Sequence, residues 1–134
     1  MIDLSKYKPI EIRENRDLKM SVTNYGVTFG KGVTEALDGC QYCEVLINPI
    51  DERLLVMKSS KGEKYALEFC PKGKEKTVRF TSRNLIYKIS GLMKWDLTIN
   101  SYRVIGTFIP DIKGSFQPGI VGVLFDLKQA VVMR

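Results

Sequence analysis

Residues 27–48 read VTFGKGVTEALDGCQYCEVLIN, and residues 78–100 read VRFTSRNLIYKISGLMKWDLTIN. Laid against each other with one residue inserted, they match Phe29 with Phe80, Leu37 with Ile89 and Gly39 with Gly91. Val45 then meets Leu97, Ile47 meets Ile99 and Asn48 meets Asn100. Both stretches run on into two further apolar segments, at 54–57 and 65–69 in the first and at 104–108 and 120–125 in the second. Two copies are too few for a solenoid, so the pattern predicts a pseudo-symmetric pair that shares one core.

Local pattern fills in each copy. Residues 25–29 and 77–80 are short and rich in β-branched and aromatic side chains, as strands are. Gly30 and Thr81 stand at helix N-cap positions, where a hydroxyl can accept a free backbone N–H. Val33, Ala36 and Leu37 then fall at i, i+3, i+4, and Leu85, Ile89, Leu92 and Met93 at i, i+4, i+7, i+8. Each set makes one apolar helix face. Gly39 and Gly91 occupy C-cap positions, and strands follow at 44–48 and 54–59 in one copy and at 96–100 and 103–110 in the other. The expected fold class is therefore α+β, mainly β with two short helices, as a duplicated β-α-β-β-β unit about a pseudo-twofold axis. The expected organisation is a single domain over 1–134, with repeats at about 25–70 and 77–126 and an extended arm or edge strand over residues 1–20.

The rest of the chain bounds the class. At 134 residues, with 44% apolar and 27% charged side chains, it can build a core without a disulfide or metal staple. There is no histidine, which removes Ser-His-Asp and Cys-His nucleophilic sites and imidazole-ligated zinc. Neither a signal peptide nor an apolar run of membrane-spanning length is visible, and three cysteines suit a reducing compartment. A cytoplasmic location with no membrane partner is the expectation.

Charge is distributed unevenly. Of 21 basic and 15 acidic residues, the span 58–83 holds eight basic (Lys58, Lys61, Lys64, Lys72, Lys74, Lys76, Arg79, Arg83) against three acidic (Glu63, Glu68, Glu75). Two readings stand: a footprint for phosphate or another anionic partner, or a linker kept solvated by lysine.

Other constellations carry bland alternatives. Cys40-x-x-Cys43 with Cys70 invites a metal or redox reading, yet structural zinc wants four ligands, and the second copy puts Leu92 and Trp95 in the two matching slots. Packing is the competing role, since free cysteine behaves as a small hydrophobe. Glu35, Asp38, Glu44, Asp96 and Asp126 show no acid–base pairing, although Glu44 and Asp96 are nearly equivalent in the two copies. Gly30-Lys31-Gly32 lacks the length and ending of a phosphate-cradling loop. Tyr65, Phe69, Phe80, Tyr87, Trp95 and Tyr102 interleave with or follow the basic residues and offer base stacking, against core burial for Phe29, Phe80 and Trp95. No enzyme activity, catalytic residue, metal or cofactor is expected.

The opening Val27, Thr28, Phe29, Lys31, Val33, Glu35, Ala36 and Leu37, followed by a hairpin over 43–57, resembles the strand–helix–hairpin of the AbrB/SpoVT and MraZ-like swapped-hairpin DNA-binding domains. The chain also resembles short uncharacterised proteins of integrative elements in Gram-positive gut bacteria. The first likeness implies DNA binding by basic side chains at the strand–helix junction: Lys31 in copy one, Arg79 and Arg83 in copy two. Gly30 replaces the family's proline and Thr34 its usual arginine, so the implied contact is to phosphate. The resulting expectation is a small DNA-associated or regulatory accessory protein of a mobile element, with Lys31, Lys72, Lys74, Lys76, Arg79 and Arg83 as nucleic-acid-binding residues. The alternative is a protein–protein interaction module with no nucleic acid. The sequence does not specify an oligomeric state.

Overall fold

Alternation decides where the sheet begins. In Lys19-Met20-Ser21-Val22-Thr23 every second side chain is apolar, and the computed structural model, which describes residues 3–7, 18–70, 77–112 and 119–133, makes this segment strand β1 (Lys19–Thr23) with Met20 and Val22 fully buried. The elements that follow are β2 (Gly26–Phe29), α1 (Lys31–Ala36), β3 (Tyr42–Asn48), β4 (Arg53–Ser59) and β5 (Leu67–Glu68). The second half supplies β6 (Val78–Phe80), α2 (Arg83–Met93), β7 (Ser101–Ile109), β8 (Gly122–Asp126) and β9 (Val131–Met133). The protein is thus mainly β with two helices, in the expected α+β class. All pairings among the described residues are antiparallel, in the order β5-β3-β4-β8-β7-β1-β2-β6, with β9 also beside β7.

Both halves feed one core. The Phe29 ring lies 6.2 Å from that of Phe69, 5.9 Å from Phe80 and 5.8 Å from Phe125. Helix α1 adds Val33, its following residue Leu37 packs beside it, and α2 adds Ile86 and Ile89. Burying one such aromatic or aliphatic side chain contributes about 1.5–3 kcal/mol. Strands of the two halves also pair with each other: β2 with β6, centred on Thr28 and Arg79, and β4 with β8, centred on Leu55 and Leu124.

The structure does not confirm the expected duplication of a β-α-β-β-β unit, and the halves differ at several elements. The strand expected at 96–100 is a turn. The Asp96 carboxylate accepts the Thr98 N–H at 3.0 Å and the Thr98 hydroxyl, while the Ile99 and Asn100 N–H groups return to the Asp96 carbonyl. A short acidic side chain that bonds its own backbone two residues on diverts the chain from a ladder. Helix α2 has eleven residues against six in α1. It starts at Ser82, not Thr81, with the Ser82 hydroxyl accepting the Leu85 N–H, and it passes Gly91 to end on Lys94 in the left-handed region at φ 56°. After α1 the expected Gly39 is left-handed at φ 60°, and Asp38 before it is left-handed as well at φ 58°. The apolar run at 65–69 yields only the two-residue β5, with Phe69 entering the core.

The expected N-terminal arm is also revised. Its last residues, Lys19 and Met20, begin an interior strand between β7 and β2. Residues 4–6 form an exposed 3-10 turn, and residues 8–17 lie outside the described residues.

Candidate nucleic-acid interface

Cross-strand partners project from the same face of a sheet, so register alone assembles a row of side chains. Arg79 on β6 faces Thr28 on β2, Thr28 faces Ser21 on β1, and Ser21 faces Arg103 on β7. At about 4.8 Å between strands, the row spans about 14 Å from one arginine to the other. The intervening positions, among them Met20, Val22, Val27, Phe29 and Val104, point into the core. Lys19 joins the outer face two residues before Ser21. The outward positions of these four strands hold lysine, arginine, hydroxyl and apolar side chains and no carboxylate: Lys19, Ser21, Thr23, Thr28, Arg79, Arg103, Ile105 and Thr107.

The β1–β2 hairpin holds two of the arginines. Thr23 Oγ1 accepts the Tyr25 N–H at 3.1 Å, and its hydroxyl donates to the Gly26 carbonyl at 3.3 Å. Onto this turn Arg83 donates from Nη1 to the Asn24 carbonyl at 2.8 Å. Arg79 donates from Nε to Thr28 Oγ1 at 3.2 Å. Its stem lies across Gly26, where an added Cβ would sit 3.0 Å from Arg79 Cγ and 2.9 Å from the Phe80 carbonyl oxygen. Glycine is needed there for that close passage.

Both guanidinium groups are exposed and bonded to neutral oxygens. Among the described residues no carboxylate pairs with either, nor with Lys19 or Arg103. Lys31 differs. Its ammonium lies 3.8 Å from the Glu35 carboxylate one turn along α1, which offsets its field locally. Lys58 is similarly placed 3.6 Å from Asp38. Lys72, Lys74 and Lys76 lie outside the described residues. The structure therefore anchors Arg83 on the β1–β2 turn and Arg79 on strand β2 of the same hairpin, and leaves Lys31 on a helix with its own counter-charge. Lys19 and Arg103 escaped the sequence reading because each sits in a locally unremarkable stretch.

The remaining candidates have local partners. Trp95 stacks on Tyr102 at 4.1 Å and 9°, Phe29, Phe69 and Phe80 belong to the aromatic cluster, and Tyr65 lies under Lys64. Tyr25 and Tyr87 stay exposed. Glu44 accepts from the Ser59 hydroxyl at 3.3 Å, and Asp96 is held below the usual carboxylate range by the Thr98 hydroxyl and N–H. The thiols of Cys40, Cys43 and Cys70 are buried and form no disulfide. Burial, with Cys70 nearby, pushes the Cys40 thiol up to about 11, and burial raises Cys43 further. No group of His, Cys, Asp or Glu among the described residues is arranged to hold a metal ion. None of the described helices is long and apolar enough to cross a membrane.

The other end of the same outer face is apolar. Leu46, Leu55 and Leu124 are successive cross-strand partners on β3, β4 and β8, and with Ile47, Asn48 and Arg53 they line an open pocket of about 230 Å³.

Comparison of the chain with family models, with curated proteins and with solved structures finds no match.

Proposed function

We propose that this chain is a small DNA-associated accessory protein that binds the phosphate backbone through basic side chains on the β1–β2–β6 face. The observation that carries the proposal is the anchoring of Arg79 and Arg83 by Thr28 Oγ1 and the Asn24 carbonyl. An arginine paired with a carboxylate has its field offset, whereas one oriented by a neutral oxygen keeps its full charge and its remaining N–H donors for a ligand. Holding the side chain in advance also lowers the entropy cost of engaging a phosphate. Lys19 and Arg103 extend the same field across the sheet, and Ser21 and Thr28 supply hydroxyls of the kind that contact phosphate oxygens.

The resemblance to swapped-hairpin DNA-binding domains supports the same ligand class, with the working residues moved from Lys31 to the second strand–helix junction. A regulatory role on a mobile element is the biological setting that the second resemblance suggests. Titration of the intact chain against a short DNA duplex at low salt tests the proposal. Saturable binding is expected, and its absence overturns the proposal.

The protein-interaction reading draws on a different observation, the outward Leu46–Leu55–Leu124 row, in which Leu46 is exposed and the other two are half-buried. It gains if DNA binding is absent and Leu55→Lys abolishes self-association or capture of a defined partner.

A further inference from the structure

Helix α2 carries two features that its own packing does not require. Its inner face is spent on Ile86 and Ile89, which are buried in the core. Asn84, Tyr87, Lys88 and Gly91, followed by Lys94, are exposed on the other side, at the i, i+3, i+4, i+7 spacing of one helix face. The first feature is Gly91. It lies inside the helix at an exposed position, and a Cβ built there would meet nothing within 4 Å. Glycine in a helix interior is destabilising relative to alanine, and no neighbour within this molecule needs the space.

The second feature is charge. Residues 77–95 hold Arg79, Arg83, Lys88 and Lys94 and no acidic side chain. Arg83 occupies the first turn of α2, where the helix dipole favours an acid, and no acid is there. The exposed side of α2 thus carries Lys88 between Arg83 and Lys94 at its two ends, no carboxylate, and a gap at Gly91 in its last turn, which complements a polyanion that approaches closely.

We propose that the exposed face of α2 docks in the major groove of double-stranded DNA, an inference that rests on the nucleic-acid reading above for its ligand class. It uses a separate surface, because α2 packs on the core side of the sheet and shares only Arg83 with that reading. An α-helix with side chains is about 10–12 Å across, and the B-form major groove is about 12 Å wide. The major groove of an RNA duplex is too deep and narrow to admit it, and a single strand has no groove. In this arrangement Arg83, Lys88 and Lys94 contact phosphates at the groove walls. Asn84 and Tyr87, 64% exposed, present hydrogen-bonding groups to the groove floor, and Gly91 lets the DNA surface close on the helix.

The experiment uses the full chain, a DNA duplex, the RNA duplex of the same sequence and one DNA strand. Gly91→Leu should melt no lower than wild type, because leucine favours helix and the site is open, while binding the DNA duplex about tenfold more weakly. Tyr87→Ala, a second exposed variant, should also weaken duplex binding. Wild-type affinity in both variants overturns the α2 inference. So does equal or tighter binding of wild type to RNA duplex or single strand. In either case the phosphate-binding reading survives if Arg79→Ala weakens binding. If wild type binds none of the three ligands, both readings fail.

Discussion

Arg79 and Thr28 are direct cross-strand partners on β6 and β2, and the arginine Nε–H donates to the threonine hydroxyl oxygen at 3.2 Å. That one bond fixes the direction of an otherwise mobile cation on an exposed sheet face.

Thr28→Val keeps the branched shape and removes the acceptor. Arg79 then samples more rotamers, so affinity for a DNA duplex should fall about two- to tenfold, the cost of ordering one long side chain on binding. The melting temperature should barely move, because neither group is buried without a partner. Fluorescence anisotropy with thermal melting checks both. Unchanged affinity would show that the bond orients nothing that matters.

Phe29→Ala should cost about 3–5 kcal/mol, the usual range for emptying a buried aromatic site. The Phe29 ring meets one ring from its own half and two from the second half. Urea unfolding of wild type should accordingly be a single transition seen alike by tryptophan fluorescence and circular dichroism. Two separated transitions would contradict a shared core.

Cys40 titrates near 11 in the folded chain, against an ordinary value of 9.0. Below pH 9 the thiol is neutral in both states and its contribution to stability is complete. Between 9 and 11 only the unfolded chain loses the proton, so stability falls as pH rises, by on the order of 1–3 kcal/mol across that window. Urea midpoints measured at intervals from pH 8 to 11 should show the decline, and Cys40→Ala should lessen it, the remainder coming from the Cys43 thiol that burial raises further. Equal pH dependence in the two proteins would contradict the assignment.

Lys94 holds a left-handed conformation at the end of α2, where glycine carries no Cβ penalty. Lys94→Gly should stabilise the fold by about 0.5–1 kcal/mol, read as a raised urea midpoint. A lowered midpoint would mean that the lysine side chain contributes more than its backbone strain costs.

Elements with strong local signals were legible in the sequence. The apolar faces of α1 and α2, the β3–β4 hairpin and the buried Phe29 follow from periodicity and turn residues over short spans. The misplaced strand at 96–100 shows where pattern misleads. Leu97 and Ile99 alternate as a strand would, but the Asp96 carboxylate captures the Thr98 N–H first. Strand β1 went unread, its first residues falling in the expected arm over 1–20, and its place inside the sheet depends on pairing with β7 some eighty residues on. The candidate interface was legible only in part for the same reason. Arg79 and Arg83 stand out in a basic stretch, whereas Lys19, Ser21 and Arg103 join them through long-range register, which no local window contains.

The central claim is that exposed, acid-free arginines on the β1–β2–β6 face bind phosphate, and its most direct measurement is the salt dependence of duplex binding. Each phosphate contact contributes about −0.9 to the log–log slope, so three to five contacts give roughly −3 to −5. Replacing Arg79 and Arg83 together by alanine should make the slope shallower by about two while leaving the melting temperature close to wild type. A variant slope equal to that of wild type, or a wild type that binds no duplex at low salt, would contradict the account.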